Sequence, residues 1–292
     1  MKRKKYIEYD YEKTFDEDIN KASEIEIQKL LDQGKVKCVY ATKTITSGNQ
    51  VEVEIYPEFT RKQRRSDSTI VDKHYEAQKK LNDTNSRKQV ERLVNANFGD
   101  GDIWATLTYD NQHLPKTEKE MLKNMKNYIR RLQYQRKKRG LPPAKYIYIT
   151  EFNEKNNLRC HHHLIVDGMQ DMDLIESLWK CSRRNHTRRT SADDKGLTGL
   201  GTYLSKDPKG SKRWCSSTNL KKPTIRKNHQ VFRMKQIRQM TENRNMIREI
   251  VEKKYKGLLY ISESARYNEI NGRTYFSIRL AIPKERKRRK HE

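Results

Sequence analysis

Apolar residues in this chain are sparse, so the few places where they recur at a regular period carry most of the structural information. Ile25, Ile27, Leu30 and Leu31 suggest a short helix ending at Gly34. Val36–Thr44 and Val51–Tyr56 are rich in β-branched residues and flank Ser47-Gly48-Asn49, which predicts a hairpin. Residues 73–97 read as a polar helix anchored by Tyr75, Leu81, Val90, Leu93 and Val94, with Gly99-Asp100-Gly101 breaking the chain after it. Ile103–Tyr109 alternates as a strand does. Thr117 and Glu120 form a T-x-x-E start signal for a helix carrying Met121, Leu122, Met125, Tyr128, Ile129 and Leu132, which stops at Gly140 and Pro142.

Two further strands are expected at Lys145–Phe152 and Cys160–Val166, joined by the polar turn Asn153–Asn157. Asp173 precedes a helix with Leu174, Ile175, Leu178 and Trp179, and 183–198 reads as a basic loop. After Lys222-Pro223 one charged helix is expected over about 229–256, then strands at Leu258–Ser262 and Thr274–Ile282 around Asn271-Gly272, then a basic tail from Lys284 to Lys290. This order of strands and helices with hairpin turns predicts an α+β fold, a central antiparallel sheet backed by helices with additions at both ends. The divisions expected are a charged segment 1–35, an accessory hairpin and helix 36–96, a core 97–223, and a C-terminal helix, strand pair and tail 224–292.

Charge changes the picture from fold to partner. The 292 residues hold 64 Lys plus Arg against 38 Asp plus Glu, a net +26, which points to a polyanion and above all to nucleic acid. No apolar run is long enough to cross a bilayer, and the basic start Met1–Lys5 has no apolar segment behind it, so neither a membrane protein nor a secretory signal is expected. Four scattered cysteines without a C-x-x-C fit reduced thiols in the cytoplasm. No G-x-x-x-x-G-K-[ST] loop occurs, so an unwinding motor would have to come from the host.

Three consecutive histidines, His161-His162-His163, are the sharpest local signal. In a strand, His161 and His163 share one face about 6.5–7 Å apart and can hold one metal ion, with His162 turned away. A simple hairpin sets Glu151 beside them, and two imidazoles with a carboxylate make an open, catalytic type of site. Glu154 is the reserve third ligand if the turn is tighter. Cys160 and His162 are a rival pair on the opposite face that would favour zinc. Paired surface histidines without an ion are the plain alternative. Downstream, Gly199–Pro208 holds Tyr203 and Lys206, three apart on a helical turn and flanked by glycines.

Together these segments resemble the HUH endonucleases, specifically the single-tyrosine rolling-circle replication initiators of bacterial plasmids, phages and integrative elements. Ala105–Asp110 is similar to the first family motif, His161–Val166 to the metal-binding second and Tyr203–Lys206 to the nucleophile motif. Trp214–Pro223 resembles the segment that follows the tyrosine in one branch. The resemblance covers about residues 97–223, and His162 departs from the bulky apolar residue usual between the two histidines. It implies a ferredoxin- or RRM-like sheet and a metal-dependent DNA nickase and strand transferase, with Tyr203 attacking a phosphodiester to give a 5′-phosphotyrosine and a free 3′-hydroxyl. Glu151, His161 and His163 would hold Mn²⁺ or Mg²⁺, and Lys206 would favour the tyrosinate, contact the phosphate or help near the metal. The implied partners are single-stranded origin DNA, an origin hairpin, a host helicase and the replication machinery in the bacterial cytoplasm. Arg183, Arg184, Arg188, Arg189, Lys212, Arg213, Lys221 and Lys222 are the candidate phosphate contacts. Competing readings are a single-strand transposase or relaxase of the same superfamily, and a non-enzymatic RRM-like binder using Tyr146, Tyr148 and Phe152 as stacking platforms.

Overall fold

The computed structural model describes residues 36–61, 75–152, 160–204, 214–268 and 272–283. In chain order the elements are β1 (Val36–Ser47), β2 (Gln50–Arg61), α1 (Tyr75–Asn97), β3 (Ile103–Thr108), α2 (Glu118–Lys138), β4 (Tyr146–Glu151) and β5 (His161–Val166). Then follow α3 (Met172–Ser177), β6 (His186–Arg189), α4 (Thr198–Leu204), β7 (Cys215–Ser216), β8 (Thr224–Asn228), α5 (Met234–Glu242), α6 (Asn245–Lys254), β9 (Leu259–Asn268) and β10 (Arg273–Ala281). The chain divides into two compact units, Asn85–Pro223 and Met1–Thr84 with Thr224–Glu292. The fold class is α+β as expected, but two five-stranded antiparallel sheets stand where one central sheet was expected. The start at 1–35 and the basic tail from Lys284 lie outside the described residues.

In the unit Asn85–Pro223 the strand order is β6-β3-β5-β4-β7. The run β3-α2-β4-β5-α3-β6 is the split βαβ of ferredoxin-like sheets, extended by β7 at one edge. Both sheet faces are buried. Ile103, Ala105, Leu107, Tyr148 and Leu164 pack against Met121, Met125, Tyr128 and Leu132 of α2. Trp104, Ile147, Ile149 and Ile165 pack on the other face against Val90, Leu93 and Val94 of α1 and Leu204 of α4. The start of α2 follows its sequence signal, since the Thr117 hydroxyl accepts from the Glu120 N–H at 3.3 Å. Arg136, near the other end of α2, is fully buried and ion-paired with Asp167 after β5.

The basic stretch 183–198, expected as loop, contains β6, whose residues Ile103↔Arg189 to Thr106↔His186 pair antiparallel with β3. An edge strand faces solvent along one side, so His-Thr-Arg-Arg need not show the apolar alternation of an interior strand. The stacking-platform reading does not survive either. Tyr148 is buried, and Tyr146 and Phe152 pack partly buried against the same α2-side core, so the three present no open aromatic face.

In the other unit the order is β8-β1-β2-β10-β9. Val51, Val53 and Ile55 of β2 and Phe276, Ile278 and Leu280 of β10 form one apolar face beneath Ile237 and Met240 of α5 and Ile247, Ile250 and Val251 of α6. The β1–β2 hairpin turns through Gly48 at φ 59°, a left-handed conformation that glycine adopts without strain. The single helix expected over 229–256 is two, because Asn243 has extended backbone (φ −136°, ψ 107°). Asn residues favour such breaks by offering side-chain oxygens to nearby N–H groups, and Asn243 Oδ1 accepts from the Asn245 N–H at 3.0 Å.

Candidate metal and nucleophile site

Register builds the first half of the site. Glu151 lies directly opposite His161, and Ile149 opposite His163, so the carboxylate and both imidazoles fall on one sheet face. Ligand atoms of Glu151, His161 and His163 all lie within 4.8 Å of one another. The two Nε2 atoms are 3.0 Å apart, and the Glu151 oxygens stand 3.6 Å from His161 Nε2 and 3.7 Å from His163 Nε2. Such a convergence of two imidazole nitrogens and a carboxylate fits a divalent ion. Among the described residues this is the one group of that kind, and Cys160 and His162 belong to no other. Glu154 lies outside the described residues.

The two buried histidines differ in role. His163 is 4% exposed; burial first, and His161 beside it second, push its pKa down to about 4. It is therefore neutral near pH 7, the form in which an imidazole ligates. Its Nδ1 lies 3.2 Å from Thr106 Oγ1, leaving Nε2 toward Glu151 and His161. His162 points to the opposite face, where Tyr109 Oη and Thr150 Oγ1 each lie 2.9 Å from its ring nitrogens. Burial, with smaller contributions from His161 and His163, takes its pKa to about 3. A fully satisfied neutral histidine thus replaces the apolar residue usual at this position, and it is core.

The second half of the site comes from α4. Tyr203 is half exposed, and its Oη lies 3.3 Å from His163 Nε2. The Trp104 indole stacks on His163 (centroids 5.3 Å, 17°) and meets Tyr203 edge-on at 5.9 Å, so one aromatic residue braces both. The helix α4 is held by α1. Asn95 Oδ1 accepts from the Leu197 N–H (2.8 Å), and its Nδ2 donates to Thr198 Oγ1 (3.0 Å). The Thr202 hydroxyl donates to Glu91 Oε1 at 2.8 Å. A Cβ on Gly201 would meet Glu91 Cα at 2.7 Å, so only glycine allows this approach of the two backbones. Gly201→Ala is expected to destabilise the fold by about 1–3 kcal/mol and shift Tyr203 from His163. Denaturant unfolding and the rate of any Tyr203 reaction check it, and a variant unchanged in both would contradict the packing argument.

The expected basic contacts separate in the structure. Arg183, Arg184 and Arg188 are exposed, with Arg188 paired opposite Trp104 across β6 and β3. Arg189 donates to the Gly101, Gly168 and Gln170 carbonyls at 2.7, 3.1 and 3.2 Å, so its guanidinium ties loops of the fold together. Lys221 and Lys222 are exposed, with the Lys221 backbone fastened to the Asn97 amide. Lys206, Lys212 and Arg213 lie outside the described residues. Sequence reasoning missed Trp104, Thr106, Glu91 and Asn95. Trp104 and Thr106 sit in the alternating first motif, which was a usable signal; the two α1 residues carried none.

With this geometry in place, comparison with known families becomes specific. Residues 102–208 match the model of a family of replication-associated proteins, the ORF2 type. The matched span contains Glu151, His161, His163, Tyr203 and Lys206. It excludes α1, which supplies the platform under α4. No curated protein and no solved structure matches the chain. Among the described residues, no helix is long and apolar enough to cross a membrane.

Proposed function

We propose that this protein initiates rolling-circle replication by nicking, and later rejoining, single-stranded origin DNA through a 5′-phosphotyrosine on Tyr203. The observation that carries the reading is the placement of Tyr203 Oη 3.3 Å from a histidine of the Glu151–His161–His163 group, within a span similar to a replication-associated family. A phenol near pKa 10 is about three units from ionisation at neutral pH, a cost of about 4 kcal/mol that the site has to offset. A divalent ion, Mn²⁺ or Mg²⁺, held by the three side chains would supply Lewis-acid polarisation of the scissile phosphate, imidazole ligation being the better match to Mn²⁺.

The chain's own residues do the rest. His163 is kept neutral by burial, and Thr106 and Trp104 hold its ring in one orientation. The α1–α4 contacts fix the backbone that presents the phenol, so little orientational freedom is lost at attack. The Oη–P bond forms as the P–O3′ bond breaks, and the phenol proton is balanced by the proton taken up on the departing 3′ oxygen. Exchange of one ester for another keeps the bond available for rejoining. Exposed arginines such as Arg183, Arg184 and Arg188 contribute phosphate contacts, a host helicase supplies unwinding, and an origin hairpin presents the strand. The test is incubation of the full chain with single-stranded DNA and Mn²⁺, followed by denaturing electrophoresis. A denaturation-resistant adduct that EDTA prevents supports the reading, and its absence contradicts it.

A further inference from the structure

Around the triad and Tyr203 the two flanks differ. On the β4 side, Ile147 and Ile149 are buried beneath Val90, Leu93 and Val94 of α1. On the β6 side lies a cleft of about 570 Å³ bordered by His163 and Tyr203. That volume falls in the roughly 300–1,000 Å³ range of small-molecule sites, which suits one nucleotide and excludes a duplex. Its apolar walls are Trp104, Leu197 and Leu200, and its polar rim includes Arg188 and Ser191. Arg188 and Ser191 are exposed, and Arg188 has no carboxylate partner among the described residues. Apolar walls with a few polar groups at the rim are what a nucleobase and its sugar-phosphate require.

We infer that this cleft receives the nucleotide on the 5′-linked side of the cleaved phosphate, the one that stays attached to Tyr203, and selects its base. The inference rests on the proposed phosphotyrosine chemistry and adds a direction to it. In an in-line displacement the attacking phenol oxygen and the departing 3′ oxygen occupy opposite ends of the phosphorus, so the nucleoside that leaves points away from Tyr203. The nucleoside attached through its 5′ oxygen projects sideways, within reach of a cavity that Tyr203 itself borders. Tyr203 and His163 line the cleft, while Glu151 and His161 stand outside it, on the side left for the departing 3′ end. The atoms balance as stated above: Oη–P forms, P–O3′ breaks, and the phenol proton is matched by the one gained by the 3′-hydroxyl.

Gly199 offers a direct way to test this. It borders the cleft, and a Cβ added there meets nothing within 4 Å. Gly199→Phe therefore fills the cavity without entering the packed face of α4. The full chain, Gly199→Phe and Arg188→Ala are each incubated with a pool of randomised single-stranded DNA and Mn²⁺. The DNA ends that become attached to protein and the freed 3′ ends are then sequenced separately. The unsubstituted chain is expected to prefer a base about tenfold at the first attached nucleotide, the size of one base-pocket interaction. Both variants flatten that preference while leaving the preference at the freed 3′ end intact. If Gly199→Phe fails to fold, Arg188→Ala is read alone. Loss of preference at the 3′ end instead, no change in either variant, or no preference in the unsubstituted chain at the attached nucleotide overturns the cleft assignment while leaving the nickase reading standing. No adduct from the unsubstituted chain overturns both.

Discussion

Replacing Tyr203 by Phe is expected to abolish covalent capture of DNA, with a fall of several orders of magnitude, because the variant has no nucleophile to form the ester. The same change should leave the fold almost untouched. Tyr203 is half exposed, and its hydroxyl contacts only His163 Nε2 among the described residues, so the cost in stability is expected within about 0.5–1 kcal/mol. The ring stays to pack edge-on against Trp104 and His163. Single-stranded DNA binding and Mn²⁺ binding should therefore persist in Tyr203→Phe. A variant that still forms adduct removes the nucleophile assignment; one that loses DNA binding with it recasts the tyrosine as a contact.

Loss of an imidazole should be nearly as severe. His161 is the more open of the paired histidines, its side chain 19% exposed, so His161→Ala removes a ligand with little damage to packing. One donor of three is gone, and Mn²⁺ affinity should fall by more than the roughly 10–100-fold that follows loss of a residue supporting a ligand. Thermal unfolding gives a second readout that needs no DNA. An ion at a hundred times its Kd stabilises the chain it binds by about 2.7 kcal/mol, and this gain should appear in the unsubstituted protein and vanish in the variant. Equal Mn²⁺-dependent stabilisation of both proteins would show that the ion, if any, binds elsewhere.

The triad was legible because it depends on local rules. The alternation of β5 puts His161 and His163 on one face, and a short hairpin leaves Glu151 little choice of partner, the observed Glu151↔His161 register being the expected one. What surrounds it depends on contacts between remote segments. The polar helix over 75–97 gave no sign that Glu91 would touch Gly201 or that Asn95 would fasten Leu197, since neither residue type nor spacing encodes a partner about a hundred positions away. The second sheet was hidden for the same reason. Both of its hairpins carry clear β signals, but nothing in either shows that β2 would pair with β10. Basic residues were the least readable of all: Arg188 and Arg189 are neighbours of one type, yet one lies open beside the cleft and the other donates to three backbone carbonyls.

If the phenol beside the metal-binding triad is what takes the phosphodiester, the modified residue itself can be identified. The full chain is incubated with single-stranded DNA and Mn²⁺, digested with protease and nuclease, and the remaining peptide analysed by mass spectrometry. The expected product is a nucleotide joined through its 5′-phosphate to the peptide that contains Tyr203. A nucleotide found on one of the other tyrosines, or attached through a 3′-phosphate, would contradict it.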